Sequence, residues 1–211
     1  MLNILSKTTV ALIGSLLFLS VAFAADKYEE GVHYELVVPA QPTSTGDKVE
    51  VLEIFWYGCP HCFRLEPYME RWLKKKPEQA EFVHLPGVFR PSWEAGARAY
   101  YTAKLLGVFD KTHRPLFDAI HVQKRKLTTE DAMRDFFADH GVDKKDFIKT
   151  YKSFAVETRL RRAKTMTSRY GISGVPAIIV NGKYRISAES AGGNAEMLKV
   201  INFLVEKESK S

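Results

Sequence analysis

Residues 49–62 read Val49-Glu50-Val51-Leu52-Glu53-Ile54-Phe55-Trp56-Tyr57-Gly58-Cys59-Pro60-His61-Cys62. The first eight are rich in β-branched and aromatic side chains, the composition of a strand buried on both faces. Gly58 ends that strand. Pro60 suits the first position of a helix, where its missing N–H costs nothing. Cys59 therefore falls at the helix edge and Cys62 one turn inside. The helix is expected to run to about Lys75 and stop near Pro77, with Phe63, Leu65, Tyr68, Met69 and Trp72 as its apolar faces. Glu81 to Leu85 reads as the next strand, in parallel βαβ order.

Working outward, the middle of the chain is helical. Trp93, Ala97, Tyr100, Tyr101 and Leu105 recur at helical spacing. Thr128 with Asp131 resembles a capping box, ahead of Met133, Phe136 and Phe137. Asp143 opens a helix that buries Phe147, Ile148 and Tyr151, and Val156, Leu160, Ala163, Met166 and Tyr170 continue the pattern to Gly171. Ala177 to Val180 is a short apolar strand. Asn181-Gly182 signals a type I′ hairpin into Lys183–Ile186, and Asn194 is expected to cap a last helix. Before all this, Tyr34 to Val38 suggests a short strand. The order is βαβ, then about 80 residues of helix, then ββα. That is an α/β, thioredoxin-like architecture with a helical domain inserted between its two halves. The expected division is 25–88 for the first half, 89–165 for the insertion and 166–211 for the second half.

The first 24 of the 211 residues have the pattern of a cleaved secretory signal: one charge at Lys7, a largely apolar run from Val10 to Val21, then Ala22-Phe23-Ala24. An uncleaved anchor is the other reading, but the run of about 15 residues falls short of the roughly 20 a bilayer needs. Net charge is +6. The excess lies in scattered clusters (Lys74 to Lys76, Lys124 to Lys126, Arg159 to Arg162), read as solvated helix faces, so no nucleic-acid partner is expected. An exported protein that used disulfides as staples would carry several pairs, whereas this chain has two cysteines three positions apart. So small a loop constrains the unfolded chain very little, and the pair is better explained by its chemistry.

Cysteines at i and i+3 on a helix stand roughly 5–6 Å apart, close enough to form a disulfide. The unpaired N–H groups and dipole at the helix start favour a thiolate at Cys59, and His61 adds to this. Cys59 is then the sulfur that exchanges with substrate, and Cys62 its internal partner. A stabilised thiolate is a good leaving group and favours the dithiol form, which points to donation of disulfides. Cys-x-x-Cys is also half a zinc site, but no second one exists and the six histidines form no His-x₃₋₅-His pair. A c-type haem would need histidine at position 63, which is Phe63.

Glu53-Ile54-Phe55-Trp56-Tyr57-Gly58-Cys59-Pro60-His61-Cys62, with Gly174-Val175-Pro176 and Val180-Asn181-Gly182-Lys183-Tyr184, resembles the DsbA family of periplasmic disulfide oxidases. The resemblance covers essentially the whole chain after the signal. It implies that Cys59 is the nucleophile, Cys62 the buried cysteine, and Pro60 and His61 the tuning dipeptide. It also implies that Pro176 is a cis-proline against the sulfurs, that the backbone of Val175 pairs with a bound peptide, and that Glu53 is a buried acid beneath the site. Read from the residues alone, Pro176 also fits an ordinary trans strand-starter and Glu53 a solvated strand edge. Trp56, Tyr57, Phe63 and Val175 are candidates for an apolar peptide groove. Core packing is the other reading of Trp56, which leaves Tyr57 as the expected exposed ring. The resemblance further implies exported, folding proteins with free thiols as substrates and reoxidation by a quinone-linked, DsbB-type inner-membrane partner. It calls for no metal or organic cofactor, and a monomer is expected. A disulfide isomerase or reductase of the same fold is the alternative. A metal-binding chaperone and a peptide-binding holdase are readings from other classes.

Overall fold

A computed structural model describes residues 27–210. The expected signal at 1–24 lies outside the described residues. Five strands form one sheet: β1 (Glu35–Leu36), β2 (Val49–Phe55), β3 (Ala80–Pro86), β4 (Ala177–Val180) and β5 (Tyr184–Ile186). Their order is β1-β5-β4-β2-β3, which leaves β3 at an open edge. β2 runs parallel to β3 and antiparallel to β4. All seven residues of β2 are buried, Glu50 and Glu53 included. That agrees with the two-sided strand read from its composition.

Side chains of β2 alternate between two layers. Val49 and Val51 face α1 (Pro60–Leu73) and α8 (Asn194–Ser209), where Leu65, Met69, Val200 and Leu204 close one core. Leu52 and Ile54 face Met166 and Tyr170, at the end of α6 (Phe154–Arg169) and just beyond it. The stretch between β3 and α6 folds as α2 (Glu94–Leu105), α3 (Phe109–His121), α4 (Glu130–Asp139) and α5 (Lys144–Tyr151). These helices share an aromatic-rich core with the end of β2 and the two cysteines. The division drawn at residue 165 falls inside α6, which runs unbroken and belongs to both the insertion and the sheet layer.

Several ends differ from expectation. Thr129 caps α4 by accepting from the Ala132 N–H, one residue later than the Thr128 pattern suggests. Gly193, not Asn194, precedes α8, and no side chain caps it. A separate α3 and the short α7 (Ala188–Ala191) were not distinguished in the periodicity. The hairpin holds, with Asn181 at φ 50° and Gly182 at φ 66°. Both values fall in the left-handed region that a type I′ turn requires.

Candidate active site

Cys59 is the N-cap of α1 and Pro60 its first residue. The Cys62 N–H donates to Cys59 Sγ at 3.4 Å, and the Cys59 thiol donates to the Val175 carbonyl at 3.3 Å. The Val175–Pro176 peptide bond is cis, as the resemblance implied. The loop before β4 therefore lies directly against the first sulfur, 116 residues away in the chain. Both sulfurs are free thiols.

The two differ in environment. The Cys62 thiol, the helix N–H groups of Cys62 and His61 and the His61 imidazole lower the Cys59 pKa from 9.0 to about 6, against the opposing effect of burial. Cys62 is fully buried, and burial first, then the neighbouring Cys59 and Glu53, push its thiol up. One turn of helix is enough to separate a sulfur that holds negative charge from one that resists it.

Beneath the sulfurs lies a buried polar group. Glu53 is 0 % exposed, and neither carboxylate oxygen has a hydrogen-bond partner. Burial, then Glu66 and Cys59, raise its pKa well above the carboxylate range. Glu50, three residues earlier in β2, shows the contrast: it accepts from the Ser44 N–H and hydroxyl at 2.8 and 2.7 Å. His84 Nε2 stands 3.8 Å from Glu53 Oε2, and His113 Nε2 stands 3.5 Å from Glu66 Oε2. Glu66, His84 and His113 offer donor atoms within 4.8 Å of one another.

The structure corrects the expected groove. Tyr57 is buried, and its hydroxyl shares a 2.8 Å hydrogen bond with His113 Nδ1. Its ring packs on Phe55 and Phe117, so the helical insertion covers it. Trp56 is the half-exposed ring, stacked on Trp93 with centroids 4.2 Å apart. Phe63 stacks on His121. Of the four groove candidates only Val175 lines the adjoining cleft of about 650 Å³, together with His61, Arg64, Ile172 and Pro176. Glu66, His84 and His113 were not singled out by sequence reasoning. For Glu66 a signal existed: it lies four residues after Cys62 and so on the same helix face.

Comparison with known proteins accords with this geometry. A DSBA-like thioredoxin domain family model matches residues 50–199. The thiol:disulfide interchange protein DsbA of Pseudomonas aeruginosa is 42 % identical over 187 residues, 89 % of each chain. That of Burkholderia cepacia is 38 % identical over 178 residues, 84 % of each. The crystal structure of Pseudomonas aeruginosa DsbA superposes with TM-score 0.83 at 42 % identity, covering 88 % of this chain and 97 % of that one. The oxidoreductase DsbA of Xylella fastidiosa gives 0.79 at 30 % identity, covering 85 % and 96 %. With the reactive pair at a helix edge, a cis-proline against it and a helical insertion over it, the chain belongs to the DsbA-like thioredoxin domain family.

Proposed function

We propose that the protein is a periplasmic thiol:disulfide oxidoreductase that donates its Cys59–Cys62 disulfide to exported proteins as they fold. The observation that carries this is the inequality of the two sulfurs, one favouring thiolate and the other buried and favouring thiol. A substrate thiolate attacks Cys59 Sγ, the Cys59–Cys62 bond breaks, and Cys62 leaves and takes up a proton. A second substrate thiolate attacks the substrate sulfur of the mixed disulfide. The substrate disulfide forms and Cys59 leaves as a thiolate, so two electrons pass from substrate to enzyme.

Each site residue has a role in this reading. Pro60 starts the helix so that its N–H groups point at Cys59, and His61 adds to the stability of the anion. Pro176 brings no N–H to the sulfur, and its loop presents the Val175 carbonyl. Val175 pairs with an extended substrate backbone beside the cleft. Glu53 moves a proton for Cys62. A quinone-linked, DsbB-type membrane partner returns the dithiol to the disulfide. Tyr57 is withdrawn from the substrate-binding set, because its ring and hydroxyl are both occupied inside the fold.

Trapping tests the assignment. Cys62→Ser leaves mixed disulfides on Cys59 unresolved, and exported cysteine-containing proteins should accumulate on it in cells. If none is caught, the exchange role falls. The reductase alternative is separated by equilibrium with glutathione. An oxidase remains largely in the dithiol form in a mildly reducing buffer, whereas a reductase remains a disulfide.

A further inference from the structure

Glu53 presents a problem that its proposed role does not solve. A group that handles protons for Cys62 turn after turn must exchange them with water, yet Glu53 is fully buried and hydrogen-bonded to nothing among the described residues. Among the described residues Glu66, His84, His113 and Tyr100 are the titratable side chains other than the cysteines around it, and the Tyr100 hydroxyl is taken up by the His84 carbonyl. Glu66 and His113 are more enclosed, with side chains 6 % and 9 % exposed; Glu66 Oε1 and His113 Nε2 are buried without hydrogen-bond partners, and Tyr57 occupies His113 Nδ1. His84 differs in position. It is the register partner of Glu53 on β3, an edge strand of the sheet, and its side chain is the most exposed of the ion-pairing groups here, 13 % against 9 % for His113, 6 % for Glu66 and 0 % for Glu53.

We infer that His84 is the residue through which Glu53 exchanges its proton with solvent, at the open edge of the sheet. The inference rests on Glu53 serving Cys62. The 3.8 Å between His84 Nε2 and Glu53 Oε2 needs only a small rotation of the imidazole to become a hydrogen bond. The proton count balances in both directions. When Cys62 leaves as a thiolate, the Glu53 carboxyl gives it a proton, and His84, protonated from water, restores that proton to Glu53. When Cys62 must attack, its thiol gives a proton to the Glu53 carboxylate, which passes it to neutral His84 and on to water. No electrons move in these transfers; the sulfurs carry the whole redox change.

The surroundings suit a carrier. Lys104 and Tyr100 face His84 from α2 and His113 from α3; Glu66 and Cys62 on α1, with Cys59 at its N-cap, lie around Glu53, and Tyr57 lies behind His113. Burial first, then His113 and Lys104, hold His84 neutral, ready to accept. The Tyr100 hydroxyl donates to the His84 carbonyl at 3.1 Å and fixes the strand at this point. His84 touches neither sulfur in this scheme and is a positioning residue acting through Glu53.

Reaction with a dithionitrobenzoate reagent tests the inference, because it separates the two cysteines. The first thionitrobenzoate released reports attack by Cys59. The second reports closure by Cys62. In His84→Gln the second phase should slow at least about tenfold near pH 7. The first phase and the glutathione equilibrium should stay within about twofold, since a carrier changes rates and not end states. In His84→Ala, added imidazole should restore the second phase. An unchanged second phase, or slowing that imidazole leaves uncorrected, overturns the inference. Glu53→Gln distinguishes the layers. If it slows closure while His84→Gln does not, only the role of His84 falls. If Glu53→Gln has no effect across pH 5–8, the role of Glu53 falls, and trapping on Cys59 is untouched by either result.

Discussion

At the residue scale the chemistry turns on small differences of position. Cys59 and Cys62 share a helix, but one sits among free N–H groups and the other inside the core. Titration of the reduced protein by thiolate absorbance should give a midpoint near pH 6 for Cys59. Cys62→Ala should raise that midpoint more than His61→Ser does, because the Cys62 thiol is the strongest lowering influence and the imidazole the weakest. The same shift links redox state to stability. A thiol whose folded pKa is about 6 rather than 9.0 adds stability that is complete above pH 9 and is lost as pH falls through 6. The reduced protein should therefore lose urea resistance from pH 9 to pH 6 relative to Cys59→Ser, measured side by side. A constant difference would contradict the depressed pKa.

At the element scale the turns are specified more tightly than the helix ends. Gly182 has φ +66°, and a Cβ there would stand 2.0 Å from the Gln41 carbonyl oxygen, a backbone atom that cannot step aside. Gln41 N–H donates to the Gly182 carbonyl at 2.9 Å, tying the segment before β2 to the hairpin. Gly182→Ala should cost at least about 2 kcal/mol in denaturant titration, through both the strained φ and the clash. Helix starts were less legible. Thr128 and Thr129 are both plausible caps in sequence, and the packing of Met133, Phe136 and Phe137 selects the second.

At the scale of the whole molecule, the insertion forms one wall of the active site. Phe117 of α3 is fully buried and touches Phe55, Tyr57 and Phe63, which come from β2, the turn and α1. Phe117→Ala should cost about 3–5 kcal/mol and leave α1 less firmly held. The check is a chemical denaturation curve read beside the rate of Cys59 alkylation. Stability within about 1 kcal/mol of the parent would show that the wall can collapse around the missing ring. Among the described residues no helix is long and apolar enough to cross a membrane.

The sequence by itself determined the buried strand, the Cys59–Cys62 helix start, the hairpin at Asn181-Gly182 and the helical character of the insertion, though not its separate α3, because each depends on local pattern or on one backbone requirement. Resemblance carried the cis bond at Pro176 and the burial of Glu53, which local pattern left open. Tyr57 was misread because strand alternation does not say what lies beyond the end of a strand; α3, far along the chain, covers it. His84 and His113 were silent for the same reason. A histidine becomes chemically informative only when tertiary contacts bring a carboxylate to it, and here β3 and α3 deliver the two rings to carboxylates on β2 and α1.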